Sequence, residues 1–302
     1  VDLHIPETRV TVPTDFDGIR VEAQMKTGLN HRAAVKAVAA ARIDPEGLPP
    51  IGDVLAEQGA PALVTGMELN ARGERAAIVR IDAAWSGEEA LDALNTLGVS
   101  PYATRVVGDV LDALPHGAGT SVEIRLPERG APDFRMLKHL KFEAPDNNAG
   151  VARGIAEAMR RLKLSKQHAT YVLSTLDMFR PGKSPYEIIV GLPLEYGRVR
   201  PQLHIEYVSL PSAFVMEVLI AYGHDAEVAR RLGRLQGLLG VTAEEEIFWI
   251  DGFTLMFQGS GPPATLLRHD LHAEDLAQRN AAEGTIGGSM GAFAAAQKML
   301  SG

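Results

Sequence analysis

The sequence predicts an α/β domain built on a closed, antiparallel, ten-stranded barrel with a polar lumen and helix pairs outside. Three observations carry this reading. Pairs of strands alternate with pairs of helices at a period of about 60 residues, the mark of a repeated architecture. Along the strands apolar and polar residues alternate, so one sheet face must be covered while the other carries charge. Ten antiparallel strands also leave two free edges unless the sheet curls back on itself.

The elements follow in order. Residues 18-27 alternate Ile19, Val21, Ala23 and Met25 with Arg20, Glu22, Gln24 and Lys26. Residues 32-43 are alanine-rich and helical by propensity, but Lys36 and Arg42 fall against Val35, Ala37, Ala39, Ala41 and Ile43 with period two, which favours a second strand. Residues 62-71 and 75-84 read as strands around a turn at Arg72, Gly73 and Glu74, followed by helices 87-97, with Ser86 as N-cap, and 102-114. The pattern returns as strands 120-127 and 134-143 with helices 149-162 and 166-177. It returns again as strands 186-195 and 201-208 with helices 211-222 and 225-239, and closes on strands 246-257 and 264-270. The whole of 1-302 reads as one domain, with 271-302 a Gly-interrupted helical tail packed outside.

Composition narrows the function classes. Hydrophobic residues at 46% and charged residues at 23% are ordinary globular values and exclude a disordered chain. A formal charge of -8 argues against nucleic acid as a partner, whereas a small anion held by a few converging cations stays open. The chain has no cysteine, which excludes a thiolate nucleophile and a disulfide framework and fits a reducing compartment. No apolar run approaches the roughly 18 residues that span a bilayer, and the first residues carry no signal-peptide core, so no membrane partner and a cytoplasmic location are expected.

Short motifs give little. Gly287, Ser289 and Gly291 match a nucleophile elbow on paper, but no His or Asp follows them. Gly182, Lys183 and Ser184 end like a phosphate-binding loop, yet Asp177 stands where its first glycine belongs. His269 and His272 lack the further ligands that a metal site needs, so no metal-ligating set is expected. There is no Gly-rich dinucleotide fingerprint and no aspartate-rich magnesium motif.

The polar strand faces are more informative. Glu22 sits in mid-strand near Lys26 and faces the expected second strand with Lys36 and Arg42, the surroundings of a general base held among cations. A solvated strand face with surface ion pairs is the alternative. Lys36, Arg42, Arg80, Arg125, Lys141 and His204 come from five strands; they converge on one lumen if the sheet closes and scatter over a surface if it stays open.

The order of elements, with the phrases 21-23, 40-42, 63-69, 78-81, 121-124 and 248-252, resembles the αββα (PT) barrel of soluble aromatic prenyltransferases, the cyanobactin peptide prenyltransferases in particular. The likeness covers most of residues 15-270. It implies transfer of a dimethylallyl or longer isoprenyl group from its diphosphate to a peptide or small aromatic acceptor. It also implies that Glu22 deprotonates the acceptor, that Arg42 and Arg80 hold pyrophosphate with Lys36, Arg125, Lys141 and His204 near them, and that Gln24, Glu68, Glu206 and Trp249 line the acceptor and isoprenyl pocket. Mg²⁺ can enter bound through the diphosphate. Ile78 and Asp82 stand where the resemblance leads one to expect basic residues, and aromatic residues make up only 6% of the chain. Two other classes share this pattern: a non-catalytic barrel binding a peptide or small anion, and an isoprenoid cyclase on the same scaffold.

Overall fold

In the computed structural model, which describes residues 7–13, 18–25, 49–58, 62–70, 74–142, 148–179, 185–195, 198–210, 212–221, 248–261 and 263–271, the alternating segments form one antiparallel sheet. Its strands are β1 (Glu7–Pro13), β2 (Gly18–Met25), β3 (Ala62–Asn70), β4 (Arg75–Trp85), β5 (Gly119–Pro127), β6 (Asp133–Lys141), β7 (Glu187–Glu195), β8 (Arg198–Val199), β9 (Gln202–Val208), β10 (Phe248–Gln258) and β11 (Ala264–Leu271). The order across the sheet is β6-β5-β4-β3-β2-β1-β11-β10-β9-β7-β8. In addition β6 pairs with β7, with Leu137 opposite Gly191 and His139 opposite Ile189.

This corrects the start of the expected topology. A strand was not anticipated at Glu7–Pro13, yet β1 lies between β2 and β11. Both edges of β2 are therefore taken, by β1 and by β3, so residues 32-43 do not flank β2 as its hairpin partner. Residues 32-43 themselves, the expected helix at 225-239, and the C-terminal tail from 272 onward lie outside the described residues. Among the described residues the sheet has eleven strands where ten were expected, the two-residue β8 adding to the edge of β7.

Five of the six described helices lie in intervals where the 3.6-residue pattern placed them. α1 (Ile51–Gln58), which was not expected, precedes β3; α2 (Gly87–Thr96) and α3 (Pro101–Leu111) follow β4; α4 (Asn148–Arg161) and α5 (Lys166–Met178) follow β6; α6 (Ser212–Ala221) follows β9. Local chemistry fixes their starts. Ser86 Oγ accepts from the Glu89 amide at 3.2 Å while the Glu89 carboxylate accepts from the Ser86 amide at 2.7 Å, a reciprocal capping box. Ser100 caps α3 by accepting from the Ala103 amide at 3.3 Å, with Pro101 at the first helical position, where its missing N–H costs nothing.

One sheet face carries the core. Ala77, Val79 and Ile81 of β4 and Val122, Ile124 and Leu126 of β5 are buried in one cluster with Leu94 of α2, Val107 of α3, Ile155 of α4 and Leu176 of α5. Each such valine, leucine or isoleucine contributes roughly 1.5–3 kcal/mol by leaving water. Phe179 anchors an aromatic group there, 5.6 Å from Phe142, 5.3 Å from Tyr207 and 5.4 Å from Phe214 between ring centres. His168 of α5 is fully buried and donates Nε2–H to the Gly261 carbonyl at 2.9 Å, tying the turn between β10 and β11 to the helix layer. Lys138 is the polar exception on this side of β6, and burial pushes its amine below the usual lysine range.

Candidate functional site

Because successive strand residues point to opposite faces, the residues between these core positions share the other face, and their contacts confirm it. On β5, Ser121, Glu123 and Arg125 alternate with Val122, Ile124 and Leu126. On β6, Arg135 and His139 alternate with Met136 and Leu140.

Two ion-pair groups cross this face. Arg125 donates from Nε to Glu68 of β3 at 2.5 Å and from Nη1 to Asp133 at 3.3 Å. Burial alone would lower the Arg125 guanidinium, but Glu68 and Asp133 outweigh it and hold it above its ordinary value. Arg135 donates from Nη2 to the buried Glu123 at 2.9 Å, and its Nη1 lies 3.3 Å from His204 Nδ1. Among the described residues Arg125 and Arg135 thus stand against carboxylates. A third group centres on His139, whose ring nitrogens lie 2.7 Å from Ser121 Oγ and 3.1 Å from Glu187 Oε1.

Arg80 is buried, in register with Val64 on one side and Glu123 on the other. Lys141 is exposed at the end of β6, paired in register with Glu187. Glu206 is half-buried, in register with Ile189 and Thr254. The backbone of Glu22 pairs with Arg9 and Gly66, and that of Gln24 with Glu7 and Val64. The strand facing Glu22 is therefore β1 or β3, not one bearing Lys36 and Arg42, which both lie outside the described residues. Trp249 pairs in register with Asp270.

Glu123, Arg135 and His139 were not among the expected site residues. Their alternation with the core was the available signal. What it lacked was the register, which alone brings Glu123 opposite Arg135. A small apolar patch was also missed: Leu137, Ile189 and Val208 form a buried cluster of their own, separate from the main core. Leu137 lies between Arg135 and His139, and Ile189 is the register partner of His139.

The fold is one shared with solved prenyltransferases. The similar structures include 5-dimethylallyltryptophan synthase from Streptomyces coelicolor, with a TM-score of 0.60 and 18% identity over 89% of this chain and 81% of that one. They also include 6-dimethylallyltryptophan synthase from Micromonospora olivasterospora in complex with DMASPP and Trp, with a TM-score of 0.59 and 13% identity over 88% and 82% of the two chains. AnaPT from Neosartorya fischeri gives a TM-score of 0.61 at 10% identity, covering 89% of this chain and 78% of its own. No protein-family model matches the chain, and no curated protein matches it. At these identities the likeness is one of fold. Among the described residues no helix is long and apolar enough to cross a membrane.

Proposed function

We propose that this chain is a prenyltransferase that moves a dimethylallyl group from its diphosphate to an aromatic nucleophile on a small molecule or a peptide. The observation that carries the reading is a charged sheet face, interrupted by a buried apolar patch, in a fold shared over nearly its whole length with prenyltransferases, one of them in complex with DMASPP and Trp. The strand pairings support a closed barrel: starting at β6 and passing through β5, β4, β3, β2, β1, β11, β10, β9 and β7, they return to β6. The charged face then lines a lumen.

In this reading three requirements of allyl transfer are divided among the residues. Cations headed by Arg80 and Arg42 offset the charge of the departing diphosphate. The patch of Leu137, Ile189 and Val208 takes the isoprenyl chain and keeps water from the allylic carbon. Glu22 accepts the acceptor proton. Among the described residues no group of three or more His, Asp or Glu is placed to hold a metal ion. Mg²⁺ thus has no ligand set of the protein's own there; it would travel with the diphosphate, and no step is derived through it.

One observation favours the second reading, a barrel that binds a small anion without chemistry: Arg125 and Arg135 are already matched by Glu68, Asp133 and Glu123. Incubation with dimethylallyl diphosphate and tryptophan, as the free amino acid and in short peptides, separates the two. The transferase yields an acceptor heavier by one isoprenyl unit together with free diphosphate. Donor binding by titration calorimetry without any such product selects the binding barrel.

A further inference from the structure

We propose that Ser121, His139 and Glu187 form a proton relay on the charged face, serving the transfer reaction; this rests on the transferase reading above. The three residues stand on adjacent strands β5, β6 and β7. Glu187 Oε1 lies 3.1 Å from His139 Nδ1, and an ionised carboxylate can only accept, so Nδ1 carries the ring proton. The neutral imidazole then has an open lone pair on Nε2, and Ser121 Oγ lies 2.7 Å from it, placed to donate. Ser121 is buried and His139 nearly so, with 14% of its side chain exposed, so the relay works where water competes little.

Its position gives it a task. Leu137 is two residues from His139 on the same strand face, Ile189 is its register partner, and both belong to the apolar patch. A chain bound on that patch brings the carbon under attack, and with it the acceptor, beside Ser121. In the transfer step the donor C–O bond breaks and its electron pair leaves with the diphosphate, while a bond forms between the allylic carbon and the acceptor. Glu22 holds the N–H or O–H proton of the aromatic acceptor while the ring attacks and returns it afterwards, and the proton lost from the attacked ring carbon passes to Ser121 Oγ as the Ser121 hydroxyl proton moves to His139 Nε2. The resulting imidazolium keeps its Nδ1–H on Glu187. Products and reactants balance, with one proton left on His139.

Carboxylates stand on several sides of that ring. Asp82 Oδ1 of β4 lies 3.9 Å from Nε2, Glu187 faces it from β7, and Glu206 of β9 stands at the register position next beyond Ile189. Lys141, two residues along β6, is the opposing charge, and it is exposed at the strand end, where water screens it. Glu187 is a positioning residue: it fixes the tautomer and holds the imidazolium, without touching the acceptor.

The test uses the full chain and the variants His139→Gln, Glu187→Gln and Ser121→Ala. In histidine labelled with ¹⁵N, NMR of the resting protein is expected to show His139 protonated on Nδ1, and Glu187→Gln is expected to abolish that preference. With dimethylallyl diphosphate and the acceptor found above, His139→Gln should lower kcat by about 10²-fold or more. Donor affinity should hold within about twofold. Ser121→Ala, which keeps the backbone and Cβ, should lose kcat without losing donor affinity even where His139→Gln fails to fold. A proton on Nε2, or covalent labelling of Ser121 by a fluorophosphonate, overturns the relay, the latter by making Ser121 a nucleophile. Transfer that survives intact in His139→Gln overturns the relay alone. A wild-type protein that transfers nothing overturns the transferase reading and the relay with it.

Discussion

Arg135 of β6 and Glu123 of β5 stand directly opposite each other in register and share a charge-assisted hydrogen bond of 2.9 Å, with only 17% and 5% of their side chains exposed. Charges so far from water are costly to leave short of an opposite charge. Glu123→Ala and Arg135→Ala should each cost about 3–5 kcal/mol in unfolding free energy. Replacement of both by apolar residues of similar size should cost much less than the sum. Urea denaturation of the two single variants and the double variant measures the coupling.

Gly252 sits at the irregularity where the β10–β11 register shifts between Ile250 and Gly252, and it faces the β9 backbone so closely that a Cβ would run into the carbonyl oxygen of Tyr207. That neighbour is main chain and cannot swing aside. Gly252→Ala should therefore destabilise the protein by about 1–3 kcal/mol through overpacking. Gly87, at the start of α2 with nothing within 4 Å of its would-be Cβ, is the control, and Gly87→Ala should be neutral or slightly stabilising. Thermal melts of the two variants side by side decide it.

How legible all this was depends on the kind of pattern involved. Val122, Ile124 and Leu126 against Glu123 and Arg125 gave away both strand and face, since the two sides meet opposite environments. β1 was not legible: Val10 and Val12 alternate with Arg9 and Thr11 over only seven residues that end on Pro13, too short a run to stand out before the register joins it to β2 and β11. α1 spans eight residues and was equally easy to pass over. The contacts of the candidate site lie further from reach. His139 and Glu187 are 48 residues apart, and nothing in either segment announces the other. Likewise the expected pairing of Glu22 with the segment of Lys36 and Arg42 followed from adjacency along the chain, whereas β1 and β3 hold both edges of that strand.

On α4, Glu157 accepts from Arg160 at 2.6 and 2.7 Å and from Arg161 at 3.0 Å. The hydrogen bonds of Arg160 first, and of Arg161 next, bring its carboxyl from the ordinary 4.5 down to about 2. A carboxyl depressed by folding stabilises the native state fully above its unfolded value. That contribution is lost as pH falls through the folded one. The loss should run from about pH 4.5 to about pH 2 and shrink in high salt, since the group is at the surface. Arg161 also donates to the Asp109 carbonyl of the α3 C-terminal turn, so the loss should loosen the contact between the two helices. Acid titration of hydrogen-exchange protection in α4, compared with Glu157→Gln, measures it; an identical acid limb in the variant would assign the effect elsewhere.

Glu22→Gln keeps size and hydrogen-bonding capacity but cannot take a proton. Turnover should fall by roughly 10²–10⁴-fold while affinity for dimethylallyl diphosphate stays within about twofold. Near-normal turnover would return Glu22 to the ordinary polar residues of β2.

The diphosphate cradle joins the architecture to the function. Arg80 is buried in mid-strand on β4, on the same face as Glu123, and Arg42 lies 38 residues before it in the sequence. The two can serve one anion only if the fold brings them to a common lumen. A guanidinium offers two parallel donors to phosphate oxygens, and lysine keeps the charge while losing that fork. Arg42→Lys and Arg80→Lys should each weaken donor binding by about 1–3 kcal/mol, and the double variant should lose less than the sum, because both act on the same ligand. Arg125 provides the contrast. It already spans Glu68 and Asp133, so Arg125→Lys should act mainly on stability and little on donor affinity. Titration calorimetry with dimethylallyl diphosphate on the four variants, alongside their melting temperatures, reads both effects. Unchanged donor affinity in Arg42→Lys and Arg80→Lys, or strictly additive losses, would place the anion away from these two arginines.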